Sequence, residues 1–194
     1  MHKIGKEFDF CYGHRVWSQE LKEGYSEDMC LACRHLHGHQ GKIIVYLENI
    51  ENPNKLERGM VTDFKHLGWF KKWIDSVLDH KFIMDLNDPL FKHEVEGPIM
   101  NMMSNFTHLD FIEGGLNKHE EEYYTINPDW YLDLTQPIRE KYEGMVFVNF
   151  VPTSENLSKW LCEVVNKKMN KIGIKCSQIQ FFETPKSQSN YFEK

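Results

Sequence analysis

Ten consecutive residues, Cys30-Leu31-Ala32-Cys33-Arg34-His35-Leu36-His37-Gly38-His39, hold two thiols and three imidazoles. Such side chains bind borderline transition metals and move protons near neutral pH. Three chemistries need that composition: a redox dithiol, a structural metal knuckle, or part of a catalytic metal centre.

His37 and His39 sit two residues apart. On an extended strand both rings leave one face with Cα atoms about 7 Å apart, a gap that two Zn–N bonds of about 2.0–2.1 Å can close. His35 shares the alternation, but on such a strand it lies about 13 Å from His39, too far for one ion. The third ligand therefore comes from another element. His14 is the best candidate, because Phe8, Phe10 and Tyr12 alternate ahead of it as on a strand. A hairpin with a long connection brings that end beside His37 and His39. Three histidines leave the fourth position of the ion open, as in catalytic zinc sites.

The other two chemistries fit less well. A structural zinc on Cys30, Cys33, His37 and His39 would have three residues between its inner ligands, against about 12 in a finger. A thioredoxin-like CxxC opens a helix in a βαβ unit, whereas this one leads into a strand. Beside a bound zinc, positive charge lowers a thiol pKa from about 8.5 toward neutrality, so Cys33 becomes a candidate base or nucleophile. Asp79-His80 is a second candidate pair, although adjacent side chains orient one another only where the backbone bends. His2, His66, His93, His108 and His119 receive no role, since isolated histidines are more often hydrogen-bonded surface residues.

The elements that position these groups follow from periodicity. A strand runs from Lys3 to Val16, and a second, β-branched and aromatic, from His37 to Glu51, closed by Asn52–Asn54. Together they read as a long antiparallel hairpin. Asp63 caps a first helix whose Phe64, Leu67, Phe70, Ile74, Val77 and Leu78 keep helical spacing, ending near Asp79-His80. A second helix follows Pro152, capped by Thr153 or Ser154, with Leu157, Trp160, Leu161, Val164 and Val165 as its buried stripe and Gly173 as its stop. Residues 174–185 read as a closing strand and 186–194 as a polar tail. The resulting order is strand, strand, helix, helix, strand.

The segment between Leu86 and Gly144 fits that order poorly and reads as an insertion. It has a Met-rich patch at 98–106, a Gly-Gly break at 114–115 and an acidic, aromatic run at 118–134. Its aromatics supply burial that a disordered linker lacks. Residues 145–150, "MVFVNF", read as a short strand after it.

At 194 residues with 41% hydrophobic content, the chain is expected to form one domain. Net charge is −6, with no run of Lys or Arg that would attract a polyanion, so direct nucleic-acid binding is not expected. The N-terminus lacks a signal-peptide pattern and no apolar run approaches about 18 residues, so a soluble, cytoplasmic protein without membrane contact is expected. Five cysteines, an odd number, suggest free or metal-linked thiols rather than disulfides.

Five stretches in order, "FDFCYGHR", "CRHLHGH", "VTDF", "LDHKFIMDLN" and "PTSENLSKWL", followed by "FFET", resemble the zinc-dependent 6-pyruvoyltetrahydropterin and 6-carboxytetrahydropterin synthase family. The likeness runs from one end of the chain to the other. It implies an α+β tunnelling fold: an antiparallel sheet with two helices on one face, assembled as trimers that stack into hexamers with active sites between subunits. The insertion at about 87–144 lies outside the usual pattern. By this resemblance His14, His37 and His39 hold Zn²⁺, Cys33 is the catalytic thiol, and Asp79 with His80 transfers protons. Glu183 matches the carboxylate that anchors the pterin ring.

The resemblance also implies a substrate, 7,8-dihydroneopterin triphosphate. Thr153 and Ser154 would donate to it from the start of the second helix, a role that capping explains equally well. The Cys-x3-His-x-His spacing from Cys33 is similar to the carboxytetrahydropterin branch, which serves 7-deazaguanine and queuosine precursor synthesis. Cys30 offers an alternative thiol with a six-residue gap to His37. Three readings stay open: a carboxytetrahydropterin synthase, a pyruvoyl synthase or related lyase, and a non-catalytic zinc-stabilised module of the same fold.

Overall fold

In the computed structural model, which describes residues 2–52, 54–102 and 108–193, the ordered elements follow the periodicity of the two ends of the chain most closely. In chain order they are β1 (Ile4–His14), β2 (His37–Asn49), α1 (Gly68–Val77), β3 (Lys81–Asp85), α2 (Pro89–Phe91) and α3 (Gly97–Met102). There follow α4 (His108–Gly114), β4 (Leu116–Lys118), β5 (Tyr124–Ile126), α5 (Gln136–Glu143), β6 (Met145–Val148), α6 (Ser154–Met169), β7 (Ile174–Thr184) and β8 (Ser187–Phe192). The chain divides into two compact units. The fold is α+β, with a sheet in which antiparallel pairing dominates.

The first unit takes in Met1–Tyr12, His39–Asp79 and Thr153–Lys194. Its strands neighbour one another in the order β1, β2, β7, β8. β2 and β7 pair antiparallel from Lys42 opposite Phe182 to Asn49 opposite Ile174. Alternate residues Phe8, Phe10 and Tyr12, then Ile43, Val45 and Leu47, then Ile179 and Phe181, are buried. This period-two burial is what a sheet with one covered face requires.

The two long helices of this unit meet that covered face. Phe70 of α1 packs edge-on against Phe8 of β1 at 5.3 Å, and Trp73 of α1 meets Trp160 of α6 at 5.5 Å. Asp63 accepts a hydrogen bond from Lys65 N ahead of a 3-10 turn, Phe64–Leu67, that leads into α1. Thr153 caps α6 by accepting from Asn156 N. At the bulge between Tyr46 and Leu47, the Asn166 side chain serves both backbone groups of Cys176, accepting from its N–H at 2.7 Å and donating to its carbonyl at 3.2 Å.

Residues 187–192 are β8 and not a polar tail. Thr184 Oγ1 accepts from Lys186 N and Ser187 N, which closes a tight turn and sends the chain back along β7. An edge strand with one wet face needs little hydrophobicity, so its composition resembles that of a tail.

The second unit comprises Gly13–Gly38 and His80–Pro152. Its strands run β4, β5, β6, β3. β3 and β6 pair in parallel, Phe82 opposite Met145 through Asp85 opposite Val148. The β6 strand is the one expected from "MVFVNF". β3 was absent from the expected order, because a short strand in a parallel pair buries both faces and shows no alternation. Phe91, Val95, Ile99, Phe111, Trp130 and Phe147 cluster in the core of this unit. The segment between Leu86 and Gly144 thus supplies a hydrophobic core. Of its Met-rich patch, residues 103–106 lie outside the described residues. Among the described residues, no helix is long and apolar enough to cross a membrane.

Candidate metal centre and proton-transfer residues

His14 closes β1, and His37 and His39 open β2. One ligand atom from each of the three lies within 4.8 Å of the others. Tetrahedral coordination at about 2.0–2.1 Å sets ligand nitrogens about 3.4 Å apart, so side-chain adjustments of a fraction of an ångström would close the set on zinc. His14 is fully buried, and His37 and His39 are half-buried.

Hydrogen bonds fix the tautomers of two of the rings. His14 Nδ1 lies 2.7 Å from the carbonyl oxygen of Pro152, and His37 Nδ1 lies 2.8 Å from that of His35. A carbonyl only accepts, so both Nδ1 atoms carry a proton and Nε2 is the atom each neutral ring would offer to a metal. That backbone support is what ligating histidines ordinarily have. A donor set of three imidazoles therefore fits zinc.

His39 has different neighbours. Its Nε2 lies 3.6 Å from Glu183 Oε1. The Tyr12 ring packs 5.8 Å from the His39 ring. Burial first, and the charge of Glu183 second, push the Tyr12 phenol up, so it stays protonated at neutral pH. Gly41 makes room for it: a Cβ there would lie 2.9 Å from Tyr12 Cε1. The alternation marks Tyr12 as a strand residue, and its place beside His39 follows from the fold.

Cys33 lies in a 3-10 turn, Ala32–Arg34, and is half-buried, whereas Cys30 is exposed. Its carbonyl accepts from Val16 N at 2.7 Å, and its N–H donates to Gln19 Oε1 at 3.0 Å. The stretch just past His14 therefore holds both backbone groups of Cys33. Cys30 N donates to Asp28 Oδ1 in a local turn. Nothing in the polar sequence from Ser18 to Met29 marked Gln19 as a partner of the thiol residue.

Asp79 and His80 follow α1. Asp79 Oδ1 accepts from Cys11 N at 2.8 Å. His80 is exposed and has φ +58°, in the left-handed region that non-glycine residues seldom adopt. Backbone strain of this kind collects at functional positions. It also supplies the bend at the helix end that two adjacent side chains need.

Glu183 stands on β7 beside His39. Thr153 uses its hydroxyl oxygen as the α6 cap at 3.3 Å, and Ser154 donates to Glu155 Oε2 at 3.3 Å. Both sit where the helix dipole favours anions.

Comparison with known proteins adds to this geometry. A family model described as 6-pyruvoyl tetrahydropterin synthase matches residues 3–194. A 6-carboxy-5,6,7,8-tetrahydropterin synthase of Aquifex aeolicus is 27% identical over 203 aligned residues, spanning 99% of this chain and 98% of that protein. The crystal structure of the uncharacterized protein WS1659 from Wolinella succinogenes superposes with a TM-score of 0.87 at 48% identity, over 100% of this chain and 98% of that one. Caenorhabditis elegans 6-pyruvoyl tetrahydropterin synthase shares the fold, with a TM-score of 0.50 at 18% identity over 100% of this chain and 96% of its own.

Proposed function

The chain belongs to the 6-pyruvoyl tetrahydropterin synthase family, and from that premise we propose that it is a zinc-dependent 6-carboxy-5,6,7,8-tetrahydropterin synthase. In this reading it converts 7,8-dihydroneopterin triphosphate and water to 6-carboxytetrahydropterin, acetaldehyde and triphosphate. The observation that carries the reading is the three-imidazole cluster, in a chain that aligns end to end with the Aquifex aeolicus synthase. The Cys-x3-His-x-His spacing from Cys33 supports the same branch.

His14, His37 and His39 would hold the metal. When bound, zinc supplies Lewis-acid stabilisation of negative charge on the oxygens of the substrate side chain. The Cys33 thiolate removes a proton from a side-chain carbon. His80 removes or returns a second proton, oriented by Asp79, whose Oδ1 is held by Cys11 N. Triphosphate leaves by elimination, and carbon–carbon cleavage releases acetaldehyde.

Glu183 accepts two parallel hydrogen bonds from the amino and ring N–H donors of the pterin, a bidentate match. Thr153 and Ser154 donate to the substrate from the start of α6. The whole chain works as one tunnelling-fold domain, with residues 87–144 as an insertion. It assembles as a trimer-based homo-oligomer, as far as a hexamer, in the cytoplasm, and its product feeds 7-deazaguanine and queuosine precursor synthesis.

The test is incubation of zinc-replete protein with 7,8-dihydroneopterin triphosphate and identification of products by mass spectrometry. Carboxytetrahydropterin with acetaldehyde is the expected result. A pyruvoyl product would move the protein to the sister branch. No turnover, with metal bound and the oligomer intact, would replace the lyase reading with a binding role.

A further inference from the structure

The backbone around Cys33 is tied to one short stretch of chain. Val16 N donates to Cys33 O at 2.7 Å, and Cys33 N donates to Gln19 Oε1 at 3.0 Å. Gln19 is itself fixed from two sides: its N–H donates to Val16 O at 3.0 Å, and its carbonyl accepts from Arg34 Nε at 2.9 Å. Residues 16–19 begin two positions past His14, whose ring is anchored at 2.7 Å on Pro152. Local bonds inside the 3-10 turn, Arg34 N to Leu31 O and His35 N to Ala32 O, close the turn on itself but leave its placement open.

We propose that Gln19 is a positioning residue for Cys33, its side-chain carbonyl fixing the thiol residue in register with the imidazole that ends β1. Val16 contributes only backbone atoms, so the Gln19 side chain is the part of this grip that sequence specifies. The amide suits the role chemically. Oε1 accepts the Cys33 N–H without placing a formal charge beside a thiol that must ionise, whereas a glutamate there would oppose ionisation. Gln19 is half-buried, so its hydrogen bond is partly shielded from competing water. A base displaced by about 1 Å loses up to about 100-fold in rate, so the effect is expected in turnover rather than in substrate binding.

This inference rests on the reading of Cys33 as the base, and the experiment separates the two. Gln19→Met keeps the length of the side chain and removes the acceptor; Gln19→Glu keeps the acceptor. Both variants and wild type are compared for zinc content, thermal midpoint, kcat and KM, and for the alkylation rate of Cys33 by iodoacetamide, resolved from Cys11 and Cys30 by peptide mass spectrometry. The expected result is a kcat about tenfold or more lower in Gln19→Met, with KM within about twofold and zinc content unchanged. Cys33 alkylation should differ from wild type by several-fold. Gln19→Glu, which keeps the acceptor, should recover most of the kcat that Gln19→Met loses. An unchanged kcat and alkylation rate in Gln19→Met would overturn the proposal, as would a Gln19→Glu variant as impaired as Gln19→Met. If Cys33→Ala retains turnover, the reading of Cys33 as the base fails instead, while the alkylation rates still report the grip.

Discussion

The three imidazoles and the proton-transfer residues are held in opposite ways. His14, His37 and His39 stand on strands, and two of them have Nδ1 on a backbone carbonyl at 2.7 and 2.8 Å. Cys33 and His80 stand on turns, one in a 3-10 turn and the other in a left-handed conformation. Strand backbone and these hydrogen bonds orient the rings of His14 and His37, and orientation of that kind favours metal binding. Turns let a thiol and an imidazole take positions that a regular element would forbid, at a cost in backbone strain. Under the proposed function the first set binds the metal and the second moves protons, and substitutions should separate the two.

The largest effect is expected at the three imidazoles. His37→Ala should lower zinc content to a small fraction of one per chain and abolish turnover, because two ligands hold zinc far less tightly than three. Metal analysis of the purified variant by plasma mass spectrometry is the check. At the turns, Cys33→Ala should lower kcat by about 10²–10⁴-fold while zinc content stays at the wild-type level. Steady-state assays run beside the same metal analysis would show whether the two sets are separable.

His80 sharpens the comparison further. Relief of its left-handed φ in His80→Gly should leave the unfolding free energy unchanged or raise it by about 1 kcal/mol, while turnover falls by about 100-fold. Denaturant melts and rates on one preparation test both halves; a variant that is less stable would show that His80 is structural.

The smallest effect concerns Tyr12, beside His39. Burial, then the Glu183 charge, raises its phenol above the ordinary 10.0. Burial, then its hydrogen bond to Glu193, raises Tyr191 to about 12. An unfolded phenol gives up its proton near pH 10 while the folded one keeps it. The stabilisation is therefore fully present below pH 10 and is lost as pH rises toward the folded values. Melting midpoints should fall between pH 10 and 12, and Tyr12→Phe should reduce that slope. An unchanged slope would show that Tyr12 does not contribute.

The sequence was most informative where a pattern repeats. Strand alternation carried β1, β2 and β7, and helical spacing behind Asp63 and Thr153 carried α1 and α6. The i, i+2 pair His37 and His39, together with His14 at the end of an aromatic strand, was enough to suggest the cluster that the fold assembles. β3 escaped because a strand in a parallel pair lacks alternation, and β8 escaped because an edge strand reads as polar. The contacts of Gln19 with Cys33 and of Tyr12 with His39 join residues 14 and 27 positions apart. Such pairings are set by topology, and no local pattern encodes them.

The central claim is that this chain uses the three-histidine site to run a zinc-dependent cleavage of a reduced pterin triphosphate. The most direct measurement is acetaldehyde release from 7,8-dihydroneopterin triphosphate as zinc is removed with a chelator and titrated back. The account predicts release that falls to background in the stripped protein and returns in proportion to zinc, reaching its plateau at one ion per chain. Full release by the stripped protein, or none at any zinc occupancy, would contradict it.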